Sequence, residues 1–144
     1  MKNMINEVKI EEAKKVTTFD AEGKENGFLV ELFKDGNKTI AYLTAAKPGA
    51  FKGYHLHRVR AARYVAIKGK IKIITYENSQ RTENILDASK SERMFIPKNV
   101  ATGLENIGEE EAWLINYPDP AYDSDLKDEQ VEYTQAELEA GIVK

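Results

Sequence analysis

Short apolar runs, broken at close intervals by turn residues, occupy positions 16–117 of the chain. The runs at 27–33 and 39–44 flank Asp35-Gly36-Asn37, a triplet with the chemistry of a hairpin turn. No internal stretch keeps a helical period for three turns. Strands of this length with tight turns between them predict an all-β protein, a sandwich or barrel of antiparallel strands.

The same pattern continues beyond a turn at Pro48-Gly49 and becomes weaker towards the end of the chain. After a strand through the two histidines, the apolar runs predict strands at 63–68, 70–76, 82–86, 93–96, 102–106 and 112–117. Beyond Pro118 the composition becomes acidic and loses strand character. Thr134 and Glu137 have the spacing of a capping box, and Gly141 stands where a helix-ending glycine belongs, so a short helix of about two turns is predicted there.

Length and composition fit one globular domain over residues 1–144, with a β-core at about 16–118 and an acidic segment at 119–144. Of the 144 residues, 42% are hydrophobic and 31% charged, and no apolar run reaches membrane length. The absence of cysteine excludes disulfides, thiolate catalysis and thiolate metal ligands. The charged first residues lack the apolar core of a signal peptide, so a cytoplasmic protein with no membrane partner is expected.

Charge is distributed unevenly, although the net charge is only −3. Residues 47–72 hold eight Lys or Arg and no acid, whereas residues 105–139 hold twelve carboxylates and one lysine. The net charge argues against nucleic acid as a partner, and the basic segment favours a phosphate-bearing ligand. The acidic run is equally compatible with a simple solvated surface.

Both histidines of the chain lie in the basic segment, two positions apart, at His55 and His57. Side chains alternate in a strand, so these two imidazoles are expected to point the same way. Such a pair, surrounded by cations, suggests a site for an anionic ligand. The alternative is a half-exposed pair that hydrogen-bonds only to backbone carbonyls.

Three motifs resemble the cupins, and within them the dTDP-4-dehydrorhamnose 3,5-epimerases and the dTDP-4-keto-6-deoxyglucose 3,4-ketoisomerases. They are Asn26-Gly27-Phe28-Leu29-Val30-Glu31-Leu32-Phe33, Lys52-Gly53-Tyr54-His55 and Ile96-Pro97-Lys98-Asn99-Val100-Ala101-Thr102-Gly103. A fourth stretch, around Pro120-Ala121-Tyr122-Asp123, is similar to the exit from the last strand of these proteins. The resemblance covers about residues 25–125 and implies an antiparallel jelly-roll barrel that forms a homodimer, its first residues pairing with the partner's sheet.

The resemblance also implies the chemistry of a sugar-nucleotide epimerase or isomerase acting on a dTDP-4-keto-6-deoxyhexose. His55 matches the base that removes a proton beside the ketone, and His57 is a second acid/base group or a hydrogen-bond donor to the sugar. Lys52 and Arg63 are expected to serve the enolate or the diphosphate. Arg58 and Tyr117 complete the expected substrate-binding set.

Several positions depart from the motifs of metal-binding cupins and of epimerases. Ala61, Ala62 and Arg63 stand where a metal cupin places a Glu, and Thr102 stands where it places a third histidine, so neither a metal nor another cofactor is expected. Ile115 occupies the position of the epimerase tyrosine, which Tyr117 or Tyr42 could replace. Two alternatives therefore stay open: a non-catalytic cupin that binds a sugar nucleotide, and a small metal-dependent cupin enzyme.

Overall fold

Two antiparallel β-sheets pack face to face in a computed structural model that describes residues 8, 10, 12–35, 39–120, 125 and 128–144. One sheet has six strands in the spatial order β1-β2-β3-β10-β5-β8, and the other has five in the order β11-β4-β9-β6-β7. The strands are β1 Lys15–Phe19, β2 Glu25–Asp35, β3 Thr39–Ala46, β4 Phe51–His57, β5 Ala62–Lys68, β6 Lys70–Glu77, β7 Gln80–Asp87, β8 Met94–Ile96, β9 Ala101–Glu105, β10 Ala112–Asn116 and β11 Gln130–Glu132. The predicted jelly roll is confirmed.

The main core lies between the sheets and is built from inward-facing residues of β3, β5, β6, β7, β8, β9 and β10. In β6, Ile71 and Ile73 are buried between the layers, and Leu114 of β10 meets them from the other sheet. Burying an aliphatic side chain of this size contributes about 1.5–3 kcal/mol. The cluster comprises Ala46, Ala62, Ala66, Ile71, Ile73, Leu86, Ile96, Val100, Leu104, Ala112 and Leu114.

A second cluster covers the outer face of the five-stranded sheet. Ile74 and Tyr76 turn outward from β6 and pack with Tyr133 and Leu138 of the C-terminal segment. This segment was predicted to lack strand structure, but residues 130–132 form β11 against β4. The stretch Gln130-Val131-Glu132 has one apolar residue, so its strand depends on tertiary pairing and not on its own pattern.

The helix α1, Gln135–Glu139, begins and ends as predicted but is shorter than two turns. Thr134 and Glu137 form both hydrogen bonds of the capping box. Gly141 has φ +74°, and its N–H donates to the Leu138 carbonyl, while the N–H of Ile142 reaches the Glu137 carbonyl. This helix is the one helix among the described residues, and it is too short to cross a membrane.

Residues with positive φ form the tight turns of the hairpins that the sequence predicts. Asn78 and Ser79 both have positive φ at the β6–β7 turn, as a type I′ hairpin requires. Gly69 has φ +72° between β5 and β6, and a Cβ there would lie 3.1 Å from the Glu111 carbonyl oxygen. The predicted turn at 36–37 and most of the stretch 120–123 lie outside the described residues.

The strand β1 was not predicted as a separate element; it pairs with β2 at the sheet edge.

Candidate functional site

Both histidines line a small cavity of about 60 Å³ between the two sheets. They project from β4, which pairs with β9 on one side and β11 on the other. Cations and a phenol share the cavity with apolar groups. The lining residues are Lys52, His55, His57, Arg60, Ala62, Tyr64, Ile96, Pro97, Val100, Thr102 and Leu104.

A bulge at Gly53 brings Lys52 into this cavity. Lys52 pairs with Leu104 and His55 with Thr102, so β4 uses one residue more than β9 over the same interval. Without the extra residue, side chains three positions apart would face opposite sides of the sheet. Gly53 has φ +113°, and a Cβ there would lie 2.6 Å from the Thr102 carbonyl oxygen. The close approach of the two backbones therefore requires glycine.

Glu129 places a buried carboxylate beside His57. Its Oε1 lies 3.1 Å from His57 Nδ1 and 3.3 Å from Arg60 Nε, and its Oε2 accepts from the backbone N–H groups of Val59 and Arg60. The residue is only 9% exposed. Burial alone would raise the pKa of Glu129, but the hydrogen bond and charge of His57, together with Arg60, hold it below its usual value. The carboxylate is therefore ionised at neutral pH.

The contacts of His57 favour one tautomer. Arg60 Nε also lies 3.1 Å from His57 Nδ1, and this nitrogen cannot both accept from Arg60 and donate to Glu129. A hydrogen bond to a carboxylate is the stronger of the two, and the Arg60 N–H reaches the same carboxylate oxygen. The proton is therefore assigned to Nδ1, which leaves the Nε2 lone pair unprotonated.

The contacts of His55 favour the other tautomer. The Gln130 side-chain amide lies 3.2 Å from His55 Nδ1, and an amide nitrogen can only donate, so the ring proton is assigned to Nε2. Glu132 Oε1 lies further away, at 3.8 Å. Burial lowers the pKa of both His55 and His57, and the charge of Arg60 lowers it further. Both imidazoles are therefore neutral at pH 7, where they differ in which nitrogen carries the proton.

A lysine and a tyrosine complete the polar lining. Lys52 Nζ donates to Thr18 Oγ1 at 2.8 Å, and burial lowers the pKa of Lys52 to about 8. Burial raises the pKa of Tyr64 to about 12, so its phenol stays protonated and can donate a hydrogen bond. The cavity thus combines a cation, two neutral imidazoles and a phenol.

Three residues that were expected to bind substrate do not line the cavity. The Arg58 guanidinium donates to the carbonyls of Asp128 and Lys144, at 2.7 and 2.6 Å. Arg63 lies on the outer side of its sheet, 3.5 Å from Asp119 and 5.2 Å from the centre of the Phe95 ring. Tyr117 follows β10 and is about half exposed. Of the expected set, Lys52, His55 and His57 converge.

The cavity also contains or contacts three residues that sequence reasoning did not select: Arg60, Tyr64 and Glu129. In the predicted strand 63–68, alternation alone could not show that Tyr64 faces inward, because Val65 and Ile67 lie on the same face as Arg63 and are as apolar as Ala66. For Glu129 the sequence offers only a general indication of a role in the site, because an acidic segment follows a basic segment that contains no acid. Trp113 packs edge-on against Phe28, with ring centres 6.2 Å apart, and does not reach the cavity.

Within the described parts of the chain, three or more His, Cys, Asp or Glu side chains never converge as metal ligands would. The histidine pair faces Lys52 and Arg60, and the one buried carboxylate beside it is already bonded to His57, Arg60 and two backbone N–H groups. This donor set does not fit a resident metal.

Comparison with known proteins identifies the family of this chain. Residues 22–130 match the family described as the polysaccharide biosynthesis C-terminal domain. The chain belongs to that family. The matched segment contains every residue that lines the histidine cavity, and it also includes Glu129.

Relatives of this polysaccharide biosynthesis domain include a protein of Haloferax volcanii named "Probable low-salt glycan biosynthesis epimerase Agl13". It is 28% identical over 120 residues, which are 74% of this chain and 77% of that protein. The capsular polysaccharide assembling protein CapF of Staphylococcus aureus has a similar structure, with a TM-score of 0.68 and 20% identity over 82% of this chain. An oxalate oxidase shares the fold with a TM-score of 0.52 and 16% identity, covering 56% of this chain and 41% of that one. The present chain spans about a third (34%) of the CapF chain.

Proposed function

We propose that this protein is a sugar epimerase that exchanges a proton on the carbon beside a ketone of a nucleotide-linked sugar. One observation carries the proposal: two neutral imidazoles face one cavity, and one of them has a buried carboxylate behind it. The relative from Haloferax volcanii, whose printed name is that of a glycan biosynthesis epimerase, supports the same reaction class. The expected substrate is a dTDP-4-keto-6-deoxyhexose.

In this proposal His57 is the base. Its Nε2 lone pair takes the proton from the carbon next to the carbonyl, and the C–H electron pair moves to form an enolate. The imidazolium that results donates from Nδ1 to the Glu129 carboxylate, which stabilises the new positive charge. Return of a proton to the opposite face of the carbon gives the epimer.

The remaining polar groups are proposed to stabilise the oxygen and to return the proton. Lys52 and the Nε2–H of His55 are the donors available to an enolate oxygen in the cavity. Tyr64 projects from the opposite sheet, so its phenol is the candidate to protonate the carbon from the other side. Family resemblance alone gives the role of base to His55, whereas the hydrogen bonds of this site favour His57.

Deuterium exchange tests the proposal directly. Incubation with dTDP-4-keto-6-deoxyglucose in heavy water should place deuterium on a carbon beside the ketone, and NMR locates it. Label at C3 and C5 with inversion indicates a 3,5-epimerase, label at one carbon with inversion a single-site epimerase, and a carbonyl moved to C3 a ketoisomerase. Sugar nucleotide that stabilises the fold against heat but returns without label would instead identify a binding protein.

Matched variants distinguish the roles of the two histidines. His57→Asn should abolish exchange and keep binding, because Asn remains polar but cannot take a proton at neutral pH. His55→Asn should slow exchange without abolishing it. Lys68→Gln, which changes a cation that packs against Trp113 outside the cavity, is the control and should leave exchange unchanged. Full exchange in His57→Asn together with none in His55→Asn would reverse the two roles.

A further inference from the structure

A second and larger concave groove lies beside the histidine cavity. Its volume is about 230 Å³, roughly four times that of the cavity. Ile96, Pro97 and Val100 line both spaces and form the wall between them. The groove is bounded by Thr75, Glu77, Gln80, Thr82, Asn84, Met94, Phe95, Ile96, Pro97 and Val100.

One side of the groove is a row of uncharged hydrogen-bonding side chains on β7. Gln80, Thr82 and Asn84 are alternate residues of that strand, and Thr82 bonds through its hydroxyl to Thr75 on β6. All three are exposed, because β7 is the edge strand of its sheet. Within the described part of the chain, the side-chain amides of Gln80 and Asn84 make no hydrogen bond to another group. They are therefore available to a ligand.

The lining selects against charged ligands. Among the described residues that line the groove there is no Lys or Arg, and the one ionisable side chain is the carboxylate of Glu77, so a phosphate or another anion would meet no cation in the lining. This contrasts with the neighbouring cavity, which holds Lys52 and Arg60. Facing the polar row, Met94, Ile96 and Pro97 provide an apolar wall.

We infer that this groove binds an uncharged pyranose unit. Hydroxyl groups of a sugar both donate and accept, as the amides and threonine hydroxyls of the row require, while the C–H face of the ring suits the apolar wall. A nucleobase fits less well, because the one aromatic ring at the groove, Phe95, already has the Arg63 guanidinium 5.2 Å from its centre. The inference does not depend on catalysis at the histidines.

Titration of the ¹⁵N-labelled full chain by NMR provides the test. Methyl α-D-glucopyranoside and methyl α-L-rhamnopyranoside are the probes, with thymidine and inorganic phosphate as competing ligand classes. At least one glycoside should shift the side-chain amide signals of Gln80 and Asn84 saturably at millimolar concentration. Phosphate and thymidine should leave these signals in place.

Variants then assign the binding to the groove. Asn84→Ala and the isosteric Thr82→Val should each weaken binding about tenfold, the loss expected for a hydrogen bond to the ligand. Ile85→Thr, on the same strand but facing away, is the matched control and should bind normally. His57→Asn should also bind normally, which keeps this result separate from the proposed epimerase. Absence of saturable shifts, unchanged binding in both groove variants, or preferential binding of thymidine or phosphate would overturn the inference.

Discussion

At the scale of single residues, Glu129 carries the negative charge that faces His57 and Arg60. Glu129→Gln keeps the shape but removes the charge that would stabilise an imidazolium, so proton exchange should fall by about 10² or more. The measurement is the initial rate of deuterium incorporation. Glu132→Gln is the control, since the Glu132 carboxylate is exposed and lies 3.8 Å from His55. Equal rates in wild type and Glu129→Gln would remove Glu129 from the mechanism.

The pH profile of exchange should be bell-shaped. The pKa of each histidine lies below its usual value of 6.5, so the neutral base is lost, and activity falls, as the pH drops through that lowered pKa. Lys52 has a pKa of about 8, so the cation is lost, and activity falls again, as the pH rises through 8. Exchange rates measured over this range report both limbs. Lys52→Gln should abolish the alkaline limb; its survival in that variant would assign the limb to another group.

At the scale of elements, the β4 bulge decides which side chains share the cavity. Gly53→Ala must accommodate a Cβ at φ +113° and 2.6 Å from the Thr102 carbonyl oxygen, so it should lower the free energy of unfolding by about 2–4 kcal/mol. Gly49→Ala is the matched control, because Gly49 also has positive φ, at +78°, but a Cβ there meets no atom within 4 Å. It should cost only about 1 kcal/mol. Urea unfolding of both variants gives the comparison, and equal losses would contradict a role for the close backbone approach.

Strand alternation and turn residues predict most of the sheet structure, and they also predict that His55 and His57 share a face. Alternation alone predicts that Lys52 and His55 face opposite sides of the sheet. The bulge at Gly53 instead turns Lys52 to the side of His55, and the hydrophobic pattern does not reveal this bulge. It also misses β11, whose pairing partner lies some 75 residues earlier in the sequence. Glu129 could not be selected from the sequence for the same reason. Local patterns specify faces and turns, whereas this site depends on long-range pairing.

At the scale of the whole molecule, the six-stranded sheet leaves large apolar side chains exposed. Phe19 is 60% exposed, Phe33 68% and Phe95 55%. Because the family resemblance implies a homodimer and these side chains are exposed, we propose a homodimer that buries part of this sheet. The pairing expected of the first residues involves positions that lie mainly outside the described ones.

Sedimentation equilibrium at micromolar concentration should give twice the chain mass of 16.3 kDa. The double variant Phe19→Asp/Phe33→Asp should shift the protein towards monomer, because burying two carboxylates in an apolar interface is costly. Ile85→Asp, an exposed position on the other sheet, should remain dimeric and is the control. A wild-type protein that sediments as a monomer would rule out the dimer without affecting the fold.

The docking of residues 128–144 on the five-stranded sheet has a consequence for the order in which the protein acquires its chemistry. Glu129 follows His57 by 72 residues, a delay of roughly 4–15 s at ordinary rates of translation. Both neighbours of β4, which are β9 and β11, are also made after the histidines, so β4 has no partner strand when His57 is added to the chain. The pair His57–Glu129 can therefore form only after residue 129 has been added and the segment that carries β11 has docked on β4, which makes this pair a late product of synthesis and folding.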